Sequence, residues 1–332
     1  MVISTLAQQL CTCTEIRQAF EALAHGEDCT LEISQSARTL ILAALWALQP
    51  RPYLYVVAGD EACERAASML AGWLGADCVC SYPNRSDMPW SDECAPAAVV
   101  AARTKALHML AAGTPCIVVA SARSLLRRLP PTTSAHTSPF VLALADERQP
   151  SDVVRTLLAM GYERIATPRD LTQPGMFCLQ GDRLDIFSAT EQTCVRIEFF
   201  GNEIDSIRSF LPATGQTIAP LETLEVFACK EVALTPETIA RARTALFDRA
   251  QEDAALQTEL EHLENGCYTA YTDALLCELY GSSASPIDYI DASTCVVLAE
   301  PRALFDDCQH AYDDIEQRAH CLLYTSDAAD EQ

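Results

Sequence analysis

Apolar and polar positions change their period along the chain, and those changes divide it. Near the N-terminus, apolar residues recur at helical spacing from Ile3 to Leu23 and from Ala37 to Leu48, while compact apolar runs at Cys29–Ile33 and Tyr53–Ala58 predict strands. A helix over Glu61–Leu74, stopped by Gly75, a helix over Ala97–Leu110 and the apolar strand Cys116–Ala120 continue the series. Strands that alternate with helices predict a parallel sheet flanked by helices.

The run Pro130-Pro131-Thr132-Thr133-Ser134 cannot continue a helix and marks a boundary. Beyond it the grammar changes. A strand at Phe140–Ala143 leads to a helix with Ser151 as its expected N-cap and Gly161 just past its end, and then to short strands with tight turns. The clearest hairpin joins Thr193–Phe200 to Glu203–Phe210 through Gly201-Asn202, a Gly-first loop suited to a type II′ turn. A strand at Leu224–Ala228 precedes a long helix that starts at Thr235 and Pro236 and runs to about Glu264. The expected segments are 1–130, 138–222, 223–321 and a polar, acidic tail, 322–332, predicted to be disordered.

Charge narrows the choice of partner. With 46 acidic residues against 23 basic, the formal charge is −23, a field that repels phosphate backbones. The 16 cysteines are scattered and form no C-x-x-C pair, so they read as small buried apolar residues rather than a metal site. No stretch is long and apolar enough for a membrane span, which predicts a cytoplasmic protein with no membrane partner.

The turn Ser34-Gln35-Ser36-Ala37-Arg38-Thr39 stands where an α/β nucleotide-binding domain carries its phosphate loop, yet it holds neither glycine nor lysine. The chain's only lysines, Lys105 and Lys230, do not follow a glycine, so no G-K step exists anywhere. Acidic pairs such as Asp182/Asp185 and Glu203/Asp205 read as solvated faces. In Cys194–Phe200, period-two alternation sends Val195, Ile197 and Phe199 to one face and Arg196, Glu198 and Phe200 to the other. Counting back across the turn, Arg196 should oppose Ile207 and Phe200 should oppose Glu203. That outer mixture of arginine, aromatic and aliphatic groups has the make-up of an interface hot spot.

The strings Gly161-Tyr162-Glu163-Arg164, Gly175-Met176-Phe177, Gly181-Asp182-Arg183-Leu184-Asp185-Ile186-Phe187 and Arg196 to Arg208 resemble the UvrA-binding domain shared by UvrB and the transcription-repair coupling factor. A weaker match extends through Tyr82-Pro83 and Met88-Pro89-Trp90 and over 224–300. The resemblance implies an α/β fold: a degenerate UvrB- or helicase-like parallel domain with an inserted α+β UvrA-binding domain. It fits the coupling factor better, because the phosphate loop and the DNA-binding tyrosine-rich hairpin of UvrB are missing. It implies UvrA as partner and carries Arg196 and Phe200 over as binding residues. Gln180 stands where the family has an arginine, and Arg183 is the nearby cation that can compensate. No cofactor is implied for this region; ATP and Mg, like RNA polymerase and double-stranded DNA, belong to domains of the longer parent. The closing string Leu322 to Glu331 reads as translated adapter sequence, so a truncated reading frame is expected. Two functions stay open: a recruitment module for UvrA, or an α/β nucleotide hydrolase with an unorthodox site around Ser34–Thr39.

Overall fold

The computed structural model describes residues 2–85, 87, 93–133, 137–191 and 193–330; Met88-Pro89-Trp90 and Ser134 lie outside the described residues. The chain forms two compact units, one of 1–84, 109–126 and 289–332 and the other of 85–108 and 127–288. This grouping cuts across the boundaries expected at 130, 138 and 222.

The first unit opens with two helices, α1 (Val2–Leu10) and α2 (Thr14–Ala24), where one was expected. Thr12 turns its hydroxyl back to the Gln9 carbonyl at 2.7 Å, and Cys13 is extended, so the helical ladder breaks there. Next come α3 (Arg38–Leu48), β1 (Tyr53–Val57) and α4 (Asp60–Leu74), close to their predicted bounds. Strand β2 (Val79–Tyr82) has no predicted counterpart, its cysteine and serine hiding the strand signal. Helix α5 (Ala97–Ala111) and β3 (Ile117–Ser121) follow the pattern.

In the second unit, β4 (Phe140–Ala143) precedes α6 (Pro150–Ala159). Ser151 is not its cap. Pro150, with its preset φ, takes the first helical turn, which leaves Gln149 as an N-cap without a side-chain bond. Gly161 follows the helix at φ +88°, and a Cβ there would stand 2.6 Å from Lys230 Cγ, so both conformation and space require glycine. Strands β5 (Glu163–Arg164), β6 (Met176–Gln180), β7 (Arg183–Phe187), β8 (Cys194–Phe200), β9 (Glu203–Phe210) and β10 (Thr217–Pro220) form one six-stranded sheet in sequential order. Strand β11 (Thr223–Val226) pairs antiparallel with β4.

One face of the six-stranded sheet carries Phe177, Leu184, Ile186, Val195, Ile197, Phe199, Ile204 and Ile207. It packs on Leu142, Val153, Leu157, Leu224 and Phe227, and Ala101 of α5 belongs to the same core. This packing ties 85–108 to the sheet and explains why the unit ignores the predicted boundaries. The expected long helix is two, α7 (Pro236–Glu252) and α8 (Ala254–Glu264). Thr235 caps the first with a reciprocal box, and extended Asp253 interrupts it to cap the second, accepting from Ala255 and Leu256. A short α9 (Leu276–Tyr280) packs against α7 around buried Leu246, Leu263 and Leu279.

The chain then returns to the first unit with β12 (Cys295–Leu298) and α10 (Pro301–Asp330). The unit's sheet is wholly parallel, in the order β12-β1-β3-β2, with all five residues of β1 buried. Both places beside β1 are thus taken. The strand expected at Cys29–Ile33 does not form; Leu31 and Ile33 instead pack singly against the core. The tail expected to be disordered from residue 322 is helical backbone in α10 as far as Asp330, a stretch whose alanines and leucines are good helix formers. Among the described residues no helix is long and apolar enough to cross a membrane.

Candidate functional site

The β8–β9 hairpin closes as expected. Gly201 has φ +66°, Asn202 is not among the positive-φ residues, and Phe200 faces Glu203. The rest of the register differs. Glu198 pairs with Ser206 while Phe199 pairs with Ile204, so Asp205 is an extra, bulged residue. Each later position on β9 is shifted by one. Arg196 therefore faces Arg208, and Ile207 turns inward opposite Ile197, where it is 2% exposed. Ile207 belongs to the core and not to the outer face.

That outer face has an apolar end, built by Leu171, Cys194 and Phe210, a charged middle and an apolar tip. In the middle, Arg196 donates from Nε and Nη2 to the two oxygens of Asp185 at 2.7 and 2.9 Å, and its guanidinium carbon lies 4.4 Å from the centre of the Phe210 ring. These bonds push the Arg196 pKa further up, against the effect of its partial burial. Asp185 is not the solvated carboxylate expected; it is buried under the arginine. At the tip, Phe200 is 82% exposed. A large ring left in water on the same strand face as a side chain already held in one orientation is ready to bind at little ordering cost.

Gln180 and Arg183 flank the tight β6–β7 turn and are cross-strand partners. Arg183 Nη2 donates to the Gln180 side-chain oxygen at 3.2 Å, so a cation does stand beside the position that holds the family arginine. Next to it, Arg208 holds Glu198 with bonds of 2.9 and 2.5 Å, and Ser206 adds one of 3.0 Å. Arg208 draws the Glu198 carboxyl below its usual range. The sheet face thus brings together Arg196, Phe200, Gln180 and Arg183, adds Arg208, and leaves Ile207 out.

Behind the sheet lies a charge cluster that periodicity did not single out. Glu231 accepts from Arg103 at 2.5 Å and from Arg85 at 2.9 Å; Asp87 and Asp273 bind Arg85 in turn, and Arg127 reaches both of these carboxylates. Arg103 has no exposed surface. In the first unit, the turn before α3 is a single 3-10 turn over Gln35–Ala37, and Arg38 is paired with Glu300. Among the described residues no group of three or more His, Cys, Asp or Glu is arranged to hold a metal.

A six-stranded sheet with one buried face, and an arginine and an exposed aromatic displayed on the other, has the make-up of a protein-interaction surface. Residues 140–231 match the UvrB interaction domain family, so the chain carries that domain. Its wider likeness is to transcription-repair-coupling factors: 32% identity over 224 residues to that of Myxococcus xanthus, covering 65% of this chain and 18% of the relative, and 27% over 282 residues to that of Bacillus subtilis, covering 81% and 24%. UvrABC system protein B of Acaryochloris marina is 38% identical over 122 residues, 37% of this chain and 16% of the relative. The resemblance read from the motifs is borne out, and the chain spans less than a quarter of the length of the coupling factors it matches.

Proposed function

We propose that this chain recruits the damage sensor UvrA in transcription-coupled nucleotide excision repair, as the N-terminal part of a cytoplasmic transcription-repair coupling factor. The observation that carries this reading is the open sheet face inside the matched domain. There Phe200 is 82% exposed, and Arg196, fixed by Asp185, lies along the same strand face. Gln180 in place of an arginine removes one charge-assisted contact, and Arg183, bonded to it, supplies a guanidinium at the same corner. The ATP-driven translocase and the contacts to RNA polymerase and double-stranded DNA belong, in this reading, to the rest of the parent protein.

The nucleotide-hydrolase reading gains nothing from the geometry around Ser34–Thr39, where Arg38 is committed to Glu300 and no glycine amides converge. Binding of purified UvrA to the chain, with Arg196→Ala and Phe200→Ala as comparisons, tests the proposal. Micromolar or tighter binding that weakens at least ~10-fold in both variants is expected, the usual cost of losing a hot-spot side chain. A folded wild-type chain that does not bind UvrA, or variants that bind equally well, would overturn it.

A further inference from the structure

The bulge at Asp205 brings an unforeseen residue to the open face. Without it Ile207 would stand beside Arg196; with it Arg208 does, as the cross-strand partner of Arg196. Arg183, Arg196 and Arg208 then occupy three adjacent strands on one face, β7, β8 and β9. Like charges directly opposite one another disfavour strand pairing, so this arrangement works against sheet stability unless carboxylates offset it. Two do, and they differ. Asp185, under Arg196, has a side chain 1% exposed, whereas Glu198, which holds Arg208, is 38% exposed. An exposed ion pair is worth little and exchanges readily with an outside partner; a buried one does not.

We propose that Arg208 is a contact residue for an acidic group on the docking protein and that Glu198 is its place-holder, released when a carboxylate of the partner takes the Arg208 fork. The inference rests on the reading that this face binds UvrA and names the chemistry of the matching surface: acidic, beside an apolar recess for Phe200. Guanidinium groups only donate, so three of them on one face call for an acceptor-rich surface. The chain as a whole, at −23, repels an acidic protein, which confines attraction to this face and fixes the register of docking. Ser206, which donates to Glu198 at 3.0 Å, keeps the displaced carboxylate hydrogen-bonded.

The test is equilibrium binding of UvrA to the full chain in four forms: wild type, Arg208→Ala, Glu198→Gln and the double variant. Arg208→Ala should weaken binding ~10-fold, the effect of removing one charge-assisted contact. Glu198→Gln, nearly isosteric, should tighten it ~3-fold by removing a competing and repelling carboxylate. In the double variant that gain should vanish, since Arg208 is no longer there to be released. Urea midpoints confirm that each variant is folded. If Glu198→Gln weakens binding or leaves it unchanged, or if folded Arg208→Ala binds like wild type, the inference is wrong. Loss of binding in Phe200→Ala alongside a neutral Arg208→Ala would sink this inference and leave the recruitment reading intact. Absence of binding by the folded wild type would sink both.

Discussion

Removing one member of the buried charge cluster should cost more than removing a matched pair. Arg103→Met is the clearest perturbation, because Arg103 has no exposed surface and donates to Glu231 at 2.5 Å. Among the described residues Arg85, Arg103 and Arg127 face Asp87, Glu231 and Asp273, three cations against three carboxylates, and the variant removes one cation. A buried charge stripped of a partner costs about 3–5 kcal/mol. Glu231 keeps Arg85 at 2.9 Å, which sets the expectation at the lower end, about 3 kcal/mol. Proton linkage acts in the same direction, through all the arginines around Glu231 together. Burial would raise the Glu231 pKa, but Arg103 and Arg85 outweigh it and hold it at about 2, against 4.5 for an ordinary glutamate. That gap corresponds to about 3 kcal/mol of stability, fully present above pH 4.5 and lost as the pH falls toward 2. Hydrogen exchange of amides in β8 and β9 reports opening of this unit, and exchange in β1 and β3 reports the other. Arg103→Met with Glu231→Leu should recover a large part of the loss, and the single-variant penalty should shrink as acid protonates Glu231. A single-variant loss below about 1 kcal/mol, or a double variant no better than the single, would refute the reasoning.

Other outcomes follow from smaller features. Ala145 is held at φ +65°, so Ala145→Gly should raise stability by about 0.5–1 kcal/mol in urea unfolding. Phe200→Ala should leave the urea midpoint unchanged, because the ring is 82% exposed, while it abolishes UvrA capture. Burial pushes the thiols of Cys63, Cys194 and Cys229 up to about 12; mass spectrometry after brief iodoacetamide treatment at pH 8 should find them unmodified while exposed Cys13 and Cys267 are alkylated.

Where one local rule decided an element, the sequence was enough to place it. Thr235-Pro236 started α7, Gly75 ended α4, and Gly201-Asn202 closed the hairpin with Phe200 opposite Glu203. Where two local rules competed, order along the chain did not tell which would win, as at Pro150 against Ser151 or at Asp253 within an apparently continuous helix. Distant competition was invisible altogether. The run Cys29–Ile33 has the composition of a strand, but β12, some 260 residues later, fills the place beside β1. The candidate site shows the same division. Arg196 and Phe200 follow from alternation within one strand, while the inward turn of Ile207 depends on a one-residue bulge that has no clear sequence signature. Asp185 looked solvated because its partner lies on a different strand.

The position of Glu231 bears on how this domain can be inherited or transplanted. It is the last residue of the matched stretch 140–231, yet Arg85, Arg103 and Asp273, which surround it, all lie outside that stretch. Ala101 likewise contributes to the core under the sheet from outside it. A graft of 140–231 alone would carry an orphaned carboxylate and an uncovered core into its new host. A transfer of the sheet between proteins must therefore also move residues 85–108, which precede the matched stretch, together with the segment around Asp273, or else neutralise position 231.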